Sequence, residues 1–123
     1  MKNFFYIISI LLFSTVAVKQ GFPNHAIVSS AKGAIEGLTL ALAAELAPNV
    51  RINCIAPSLT NSKISNFLLK NEKMAESIAK MHPLKRIGEG SDSASVAKFL
   101  LSDESSWITG QILGIDGGRS SVA

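Results

Sequence analysis

Hydrophobic positions fall along this chain in two alternating patterns: continuous runs of strand length, and stripes at three- and four-residue spacing. The first run, Phe4 to Val18, is broken only by Ser9, Ser14 and Thr15. Lys19 to Asn24 is turn chemistry, with Gly21, Pro23 and Asn24, the last a candidate helix cap. From His25 to Leu46 the pattern is helical, as Ile27, Ala31, Ala34, Ile35, Leu38, Leu42 and Leu46 recur on one face until Pro48 stops the run. Val50, Ile52, Cys54 and Ile55, closed by Ala56 and Pro57, read as a strand buried on both faces. A second helix is predicted over Lys63 to Met81, with Ile64, Phe67, Leu68, Met74, Ile78 and Met81 as its stripe. Phe67, Leu68 and Met74 are expected to pack in the core. After a polar turn from Lys85 to Glu89, Ser91 or Asp92 is placed to cap a third helix through Val96, Phe99, Leu100 and Leu101. A short strand, Gln111 to Ile115, ends at Asp116-Gly117-Gly118.

Strand, helix, strand, helices, strand is the order that builds right-handed crossovers over a parallel sheet, so the fold class is α/β. A sheet of three strands leaves an apolar edge unpaired, and exposed edges of that kind are a liability. The segment is therefore expected to be part of a larger sheet.

Composition narrows the function. The chain has 123 residues, 47% of them hydrophobic, which suits one folded domain and excludes disorder. Twelve lysines and arginines against nine acidic residues give +3, but the cations are scattered and no basic run alternates with aromatics. A nucleic-acid partner is not expected. The single Cys54 allows no intrachain disulfide, which favours a reducing, cytoplasmic setting; with His25 and His82 far apart, no metal site is expected.

The N-terminal run has two readings. Phe4 to Val18 is too short for a comfortable membrane span of about 20 residues, and a membrane role is not expected. With Lys2 ahead and small residues near its end, Met1 to Ala17 fits an export signal, which would make the protein exported. A buried parallel strand fits equally well, and periodicity does not separate the two.

Several blocks then carry a resemblance. Ser29-Ser30-Ala31-Lys32-Gly33-Ala34, followed by Gly37-Leu38-Thr39 and Leu42 to Pro48, is similar to the active-site helix of the short-chain dehydrogenase/reductase family. Val50 to Pro57 resembles that family's next strand. Pro83 to Gly88, Phe99 to Asp103, and Ile108 to Gln111 leading to Asp116-Gly117-Gly118 repeat the match in order. The resemblance implies a partial Rossmann-like, doubly wound parallel sheet: the last three strands with their helices, without the N-terminal nucleotide-binding half. It divides the chain into an unmatched apolar segment 1–8 (a signal-like or false-start segment), a C-terminal half-domain 9–119, and a tail 120–123. Ser9 to Val18 falls on the family's strand, a register that argues against the export signal. The glycine-rich turn that holds a pyrophosphate would lie in the missing half, and Gly117-Gly118 is no substitute because no helix follows it.

What the resemblance implies for chemistry is an oxidoreductase that moves a hydride to or from a small-molecule carbonyl or alcohol with NAD or NADP. Binding of either cofactor by this chain alone is expected to be weak or absent. In the family a tyrosine carries the carbonyl proton, and a lysine four residues later, one turn along the same face, makes it a usable base. Lys32 holds the lysine position and would bind the nicotinamide ribose, but four residues earlier stands Val28, which has no proton to give. Three readings follow: a catalytically inactive, binding-only member; a substitute proton carrier, for which His25 is one turn away with an imidazole suited to neutral pH; or a relic reading frame. Counting back from Lys32 puts the carbonyl-polarising hydroxyl at Thr15, with Ser14 adjacent. Where the family has Pro-Gly and a threonine for the nicotinamide carboxamide, this chain has Pro57-Ser58-Leu59-Thr60-Asn61-Ser62, so Thr60 or Ser62 would supply the hydroxyl. The family forms dimers and tetramers, and a homo-oligomer is expected on that ground. A module that docks on full-length relatives without catalysis is the alternative function.

Overall fold

A computed structural model describes residues 8–122. The suggested leader segment 1–8 lies outside the described residues except for Ile8. Among the described residues, three strands form one parallel sheet in the order β1 (Ile8–Phe13), β2 (Val50–Pro57), β3 (Ile112–Ile115). Ile8 faces Val50 and Phe13 faces Ile55 across the first pair; Cys54 faces Ile112 and Pro57 faces Ile115 across the second.

The central strand carries the core, as its apolar positions predict. Ile52, Cys54 and Ile55 are fully buried, while β1, at the edge of the sheet, leaves Ile8 and Phe13 about half exposed. Two polar side chains within β2 are buried for a structural reason. Asn53 accepts from the Gln111 N–H and donates to the Ile108 carbonyl, stitching the last loop to the sheet. Arg51 reaches the end of a helix, donating to the carbonyls of Ser102 and Ile108 and to the Ser105 hydroxyl at 3.0–3.1 Å. Its positive charge sits where the C-terminal end of a helix dipole favours one.

That helix is α5 (Gly90–Leu101), which packs on β1 and β2 and buries Leu100. A short 3-10 turn, Asp103–Ser105, follows it. The crossover from β1 to β2 is α2 (Ala26–Leu46), which lies on the sheet through Thr39 and Ala43. By length and hydropathy α2 would also cross a bilayer, but it packs on β2 as the crossover helix of a parallel sheet.

Several local expectations are corrected. The first strand ends at Phe13, and Val16–Lys19 forms a helical turn, α1, because Thr15 caps it with its hydroxyl on the Ala17 N–H. His25, not Asn24, occupies the cap position of α2, while Asn24 takes a left-handed conformation at φ 63°. The helix expected over Lys63 to Met81 is two pieces, α3 (Asn66–Leu69) and α4 (Glu72–Lys80). Asn71 breaks it: its backbone is extended and its side chain caps α4 at the Met74 N–H. Phe67 and Met74 are exposed instead of packed, because α3 is short and rests mainly on α4. Glu89 caps α5 in place of Ser91 or Asp92, and Asp92 closes a reciprocal capping box by accepting the Glu89 N–H at 2.7 Å.

Candidate functional site

In open parallel sheets, ligands bind in the crevice beyond the C-terminal ends of the strands. Here Phe13 of β1 leads into Ser14 and Thr15, and Pro57 of β2 leads into Ser58 to Ser62. Between these two exits lies a cavity of about 620 Å³. It is lined by Ser14, Thr15, His25, Pro57, Ser58, Leu59, Thr60 and Ser62, so every candidate catalytic or cofactor-binding residue named from the sequence except Lys32 lines it. Phe22, Ile64, Ile78, Met81 and Arg119 line the rest.

The hydroxyls are not equivalent. Ser14 is buried and spends its proton on the Glu36 carboxylate at 2.5 Å, so it has none to donate to a carbonyl in the cavity. Thr15 accepts from the Ala17 N–H at 3.3 Å through a lone pair, and its own O–H has no acceptor among the described residues. Of the two, Thr15 is the hydroxyl able to polarise a carbonyl. Thr60 donates to the Ser58 carbonyl, and Ser62 is tied to Ser65. The backbone N–H groups of Leu59 and Thr60 have no partner among the described residues. They are unspent donors beside the cavity.

The two histidines are held differently. At the exposed start of α2, His25 lies 2.8 Å through Nδ1 from the Pro23 carbonyl and tilts against Phe22, ring centroids 5.5 Å apart. Because a carbonyl only accepts, Nδ1 carries a proton and Nε2 is left open. His82 is 2% exposed. Its Nδ1 donates to the Ile78 carbonyl at 2.9 Å, and its Nε2 lies 2.8 Å from Ser58 Oγ. The serine that stands where a glycine was expected thus ties the loop after β2 to the end of α4.

Lys32 does not line the cavity. Its ammonium donates to the Phe13 carbonyl at 3.0 Å, fixing the end of β1, and two of its three N–H bonds are unspent. Val28 is half exposed on α2, and Ser29 donates to the Ala17 carbonyl at 3.0 Å. Glu36, His82 and Arg119 are site residues that sequence reasoning missed. Glu36 follows Lys32 by one helical turn, a weak signal; nothing in the sequence brings Arg119 to this cavity or His82 to Ser58 behind it.

Two further groups have displaced proton affinities. Burial pushes the Cys54 thiol up. For Asp116, burial raises the carboxyl, but the Ser120 hydroxyl and the Ser120 and Gly118 N–H groups outweigh it and leave it below its ordinary value. Those bonds shape the Asp116-Gly117-Gly118 turn, in which Gly118 sits at φ +87°, where a Cβ would meet Val122 at 2.7 Å.

Residues 6–120 match the family model described as Enoyl-(Acyl carrier protein) reductase. The chain is 39% identical to Tropinone reductase-like 3 of Erythroxylum coca over 113 residues, covering 92% of this chain and 44% of that protein. It is 36% identical to Dehydrogenase/reductase SDR family member 4 of Homo sapiens over 114 residues, 92% of this chain and 41% of that one. Among solved structures, a short-chain type dehydrogenase/reductase from Mycobacterium ulcerans superposes with a TM-score of 0.86 at 32% identity, over 91% of this chain and 41% of the other. A gluconate 5-dehydrogenase from Burkholderia cenocepacia J2315, in complex with NADP and tartrate, gives 0.87 at 27% identity over 94% and 46%. The chain spans less than half the length of each.

Proposed function

Because this chain belongs to the short-chain dehydrogenase/reductase family, we propose that it forms the substrate and nicotinamide side of an NAD(P)-dependent oxidoreductase acting on small-molecule carbonyls and alcohols. The observation that carries this reading is the cavity at the ends of β1 and β2, where Thr15, His25, Ser58 and Thr60 converge. When bound, a nicotinamide cofactor would give or accept the hydride. The residues that would hold it are Lys32, through its two spare N–H bonds, and the Pro57-Ser58-Leu59-Thr60 loop with Ser62. The unspent Leu59 and Thr60 N–H groups fit a carboxamide oxygen.

The chain's own residues then divide the work. Thr15 donates a hydrogen bond to the substrate oxygen and stabilises charge developing there. With Nδ1–H anchored on Pro23, His25 takes an alcohol proton at Nε2 and returns it in the reverse direction. This assignment replaces the proton transfer that Val28 cannot perform.

The test is to co-express the chain with the glycine-rich half of a relative and follow carbonyl-dependent NADPH or NADH oxidation. Turnover that His25→Ala largely abolishes is the expected result; an unchanged rate removes His25 from the mechanism. Titration of the chain alone should give weak or no nucleotide binding. A second reading, a non-catalytic module docking on full-length relatives, is favoured by the apolar side chains that α2 exposes, Ile27, Val28, Leu38 and Leu40. Absence of turnover in the completed domain, together with capture of a relative through α2, would select it. In either case a cytoplasmic, homo-oligomeric protein is the setting that the lone buried Cys54 and the family suggest.

A further inference from the structure

We infer that the cavity selects substrates carrying a carboxylate, and that Arg119 is the residue that recognises it. This inference rests on the reading of the cavity as a substrate site and adds the chemical class of what it takes.

Among the described residues, the cavity wall contains Arg119 and His25 but no aspartate or glutamate. Behind Ser14, the Glu36 carboxylate is occupied by the Ser14 hydroxyl. Arg119 is held in place from both ends. Its backbone N–H donates to the Asp116 carbonyl at 3.1 Å, and its guanidinium lies 4.9 Å from the centroid of the Phe22 ring. Stacking on an aromatic face fixes the plane of a guanidinium while leaving its N–H edge open.

That edge is unspent: among the described residues the guanidinium of Arg119 makes neither a hydrogen bond nor an ion pair. Asp116, the acid three residues earlier, is not available, because it accepts from Ser120 and Gly118. Arg86 shows the contrast. Its guanidinium is bidentate on Asp92 at 2.7 and 2.8 Å. A guanidinium with a free fork matches the two oxygens of a carboxylate. With Thr15 presenting a free hydroxyl on the same cavity, the ligand class that uses both is a small oxo acid or hydroxy acid.

The experiment is a titration of the full 123-residue chain with pyruvate and with methyl pyruvate, followed by nuclear magnetic resonance, in the wild type and in Arg119→Gln, Arg119→Lys and Arg86→Gln. The expected result is saturable binding of pyruvate. Methyl pyruvate to the wild type, and pyruvate to Arg119→Gln, should each bind roughly tenfold more weakly or worse, the loss that follows when a charge-assisted pair is removed. Arg119→Lys should fall between, since an ammonium keeps the charge but loses the fork, and Arg86→Gln should bind as the wild type does. Equal binding of acid and ester, no binding of either, or an equal loss in Arg86→Gln would overturn the inference. Thermal melts of the variants separate a lost contact from a lost fold; if Arg119→Gln melts early, the acid-to-ester ratio in Arg119→Lys decides alone. Neither nucleotide nor turnover enters the measurement. A completed domain that fails to oxidise NADPH would therefore refute the oxidoreductase reading while leaving this result standing.

Discussion

Ser58 and His82 offer the sharpest test of how the loop after β2 is held. His82 is 2% exposed and makes two bonds, to the Ser58 hydroxyl and to the Ile78 carbonyl. His82→Ala removes both, each worth about 1 kcal/mol net. It also takes away a buried ring, and the packing lost with it adds about 1–3 kcal/mol. The expected loss is therefore about 3–5 kcal/mol, a large fraction of the roughly 5–15 kcal/mol that stabilises a domain. Ser58→Ala removes only the shared bond and leaves the buried Nε2 without its partner, for about 1–3 kcal/mol. Since the Ser58–His82 bond is counted in both single variants, the double variant should be less destabilised than their sum by about 1 kcal/mol. Urea unfolding measures all four proteins, followed by far-ultraviolet circular dichroism because Trp107 is 99% exposed and reports little. Losses that add within about 0.5 kcal/mol would mean that the two side chains are neighbours without being coupled, and the tether would be refuted.

Three further outcomes follow from the same contacts. Asp92 is held well below its ordinary carboxylate value of 3.8 by the Arg86 guanidinium first and by the Glu89 N–H second. A depressed folded value stabilises above the unfolded one and is lost as pH falls, so the melting-temperature advantage of the wild type over Asp92→Asn should shrink from about pH 5 to about pH 2; an advantage that grows on acidification contradicts this. Cys54 is fully buried with its thiol pushed up, so native protein at mildly alkaline pH should resist iodoacetamide and label only on unfolding. In the completed domain, Thr15→Val should cut kcat roughly a hundredfold, as removal of an oxyanion donor does, whereas Ser14→Ala should act on stability through Glu36 and leave kcat within a few-fold; the reverse ranking would move the polarising role to Ser14.

Much of the fold was legible because a central parallel strand and a long crossover helix write strong periods. Val50–Pro57 and Ala26–Leu46 fall where the apolar run and the three-four stripe put them. Three of the failures share one physical origin, a local side-chain bond overriding a period. Asn71 cuts a helix whose stripe is otherwise continuous, and Thr15 turns the end of an apolar run into a helical start. Glu89 became a cap only because Asp92 accepts its N–H, a reciprocal bond that Ser91 and Asp92, the better capping residue types, concealed. In the site, the residues adjacent to strand ends were legible, since strand exits converge by topology. Their partners were not. His82 lies 24 residues from Ser58 and Arg119 lies 97 residues from Phe22, and these meetings are made by packing, which no local pattern records.

Lys32 shows how far a single motif carries. Its place four residues after Val28 fixes a face of α2, but a face says nothing of depth along the helix. His25 lies seven residues earlier, about 10 Å away at 1.5 Å per residue. A charge at that distance, in contact with solvent, is largely screened, so on the proposed assignment Lys32 would assist a proton carried at His25 less than one carried at position 28. Lys32 already holds the Phe13 carbonyl, and on the proposed reading its other two N–H bonds would reach the sugar hydroxyls of the cofactor. Lys32→Gln in the completed domain should therefore raise the KM for NADPH by roughly tenfold, the loss expected when a charged donor becomes neutral. The saturated rate should stay within a few-fold. A collapse of kcat with an unchanged cofactor KM would mean that Lys32 acts on the proton after all, and His25 would then be the wrong carrier.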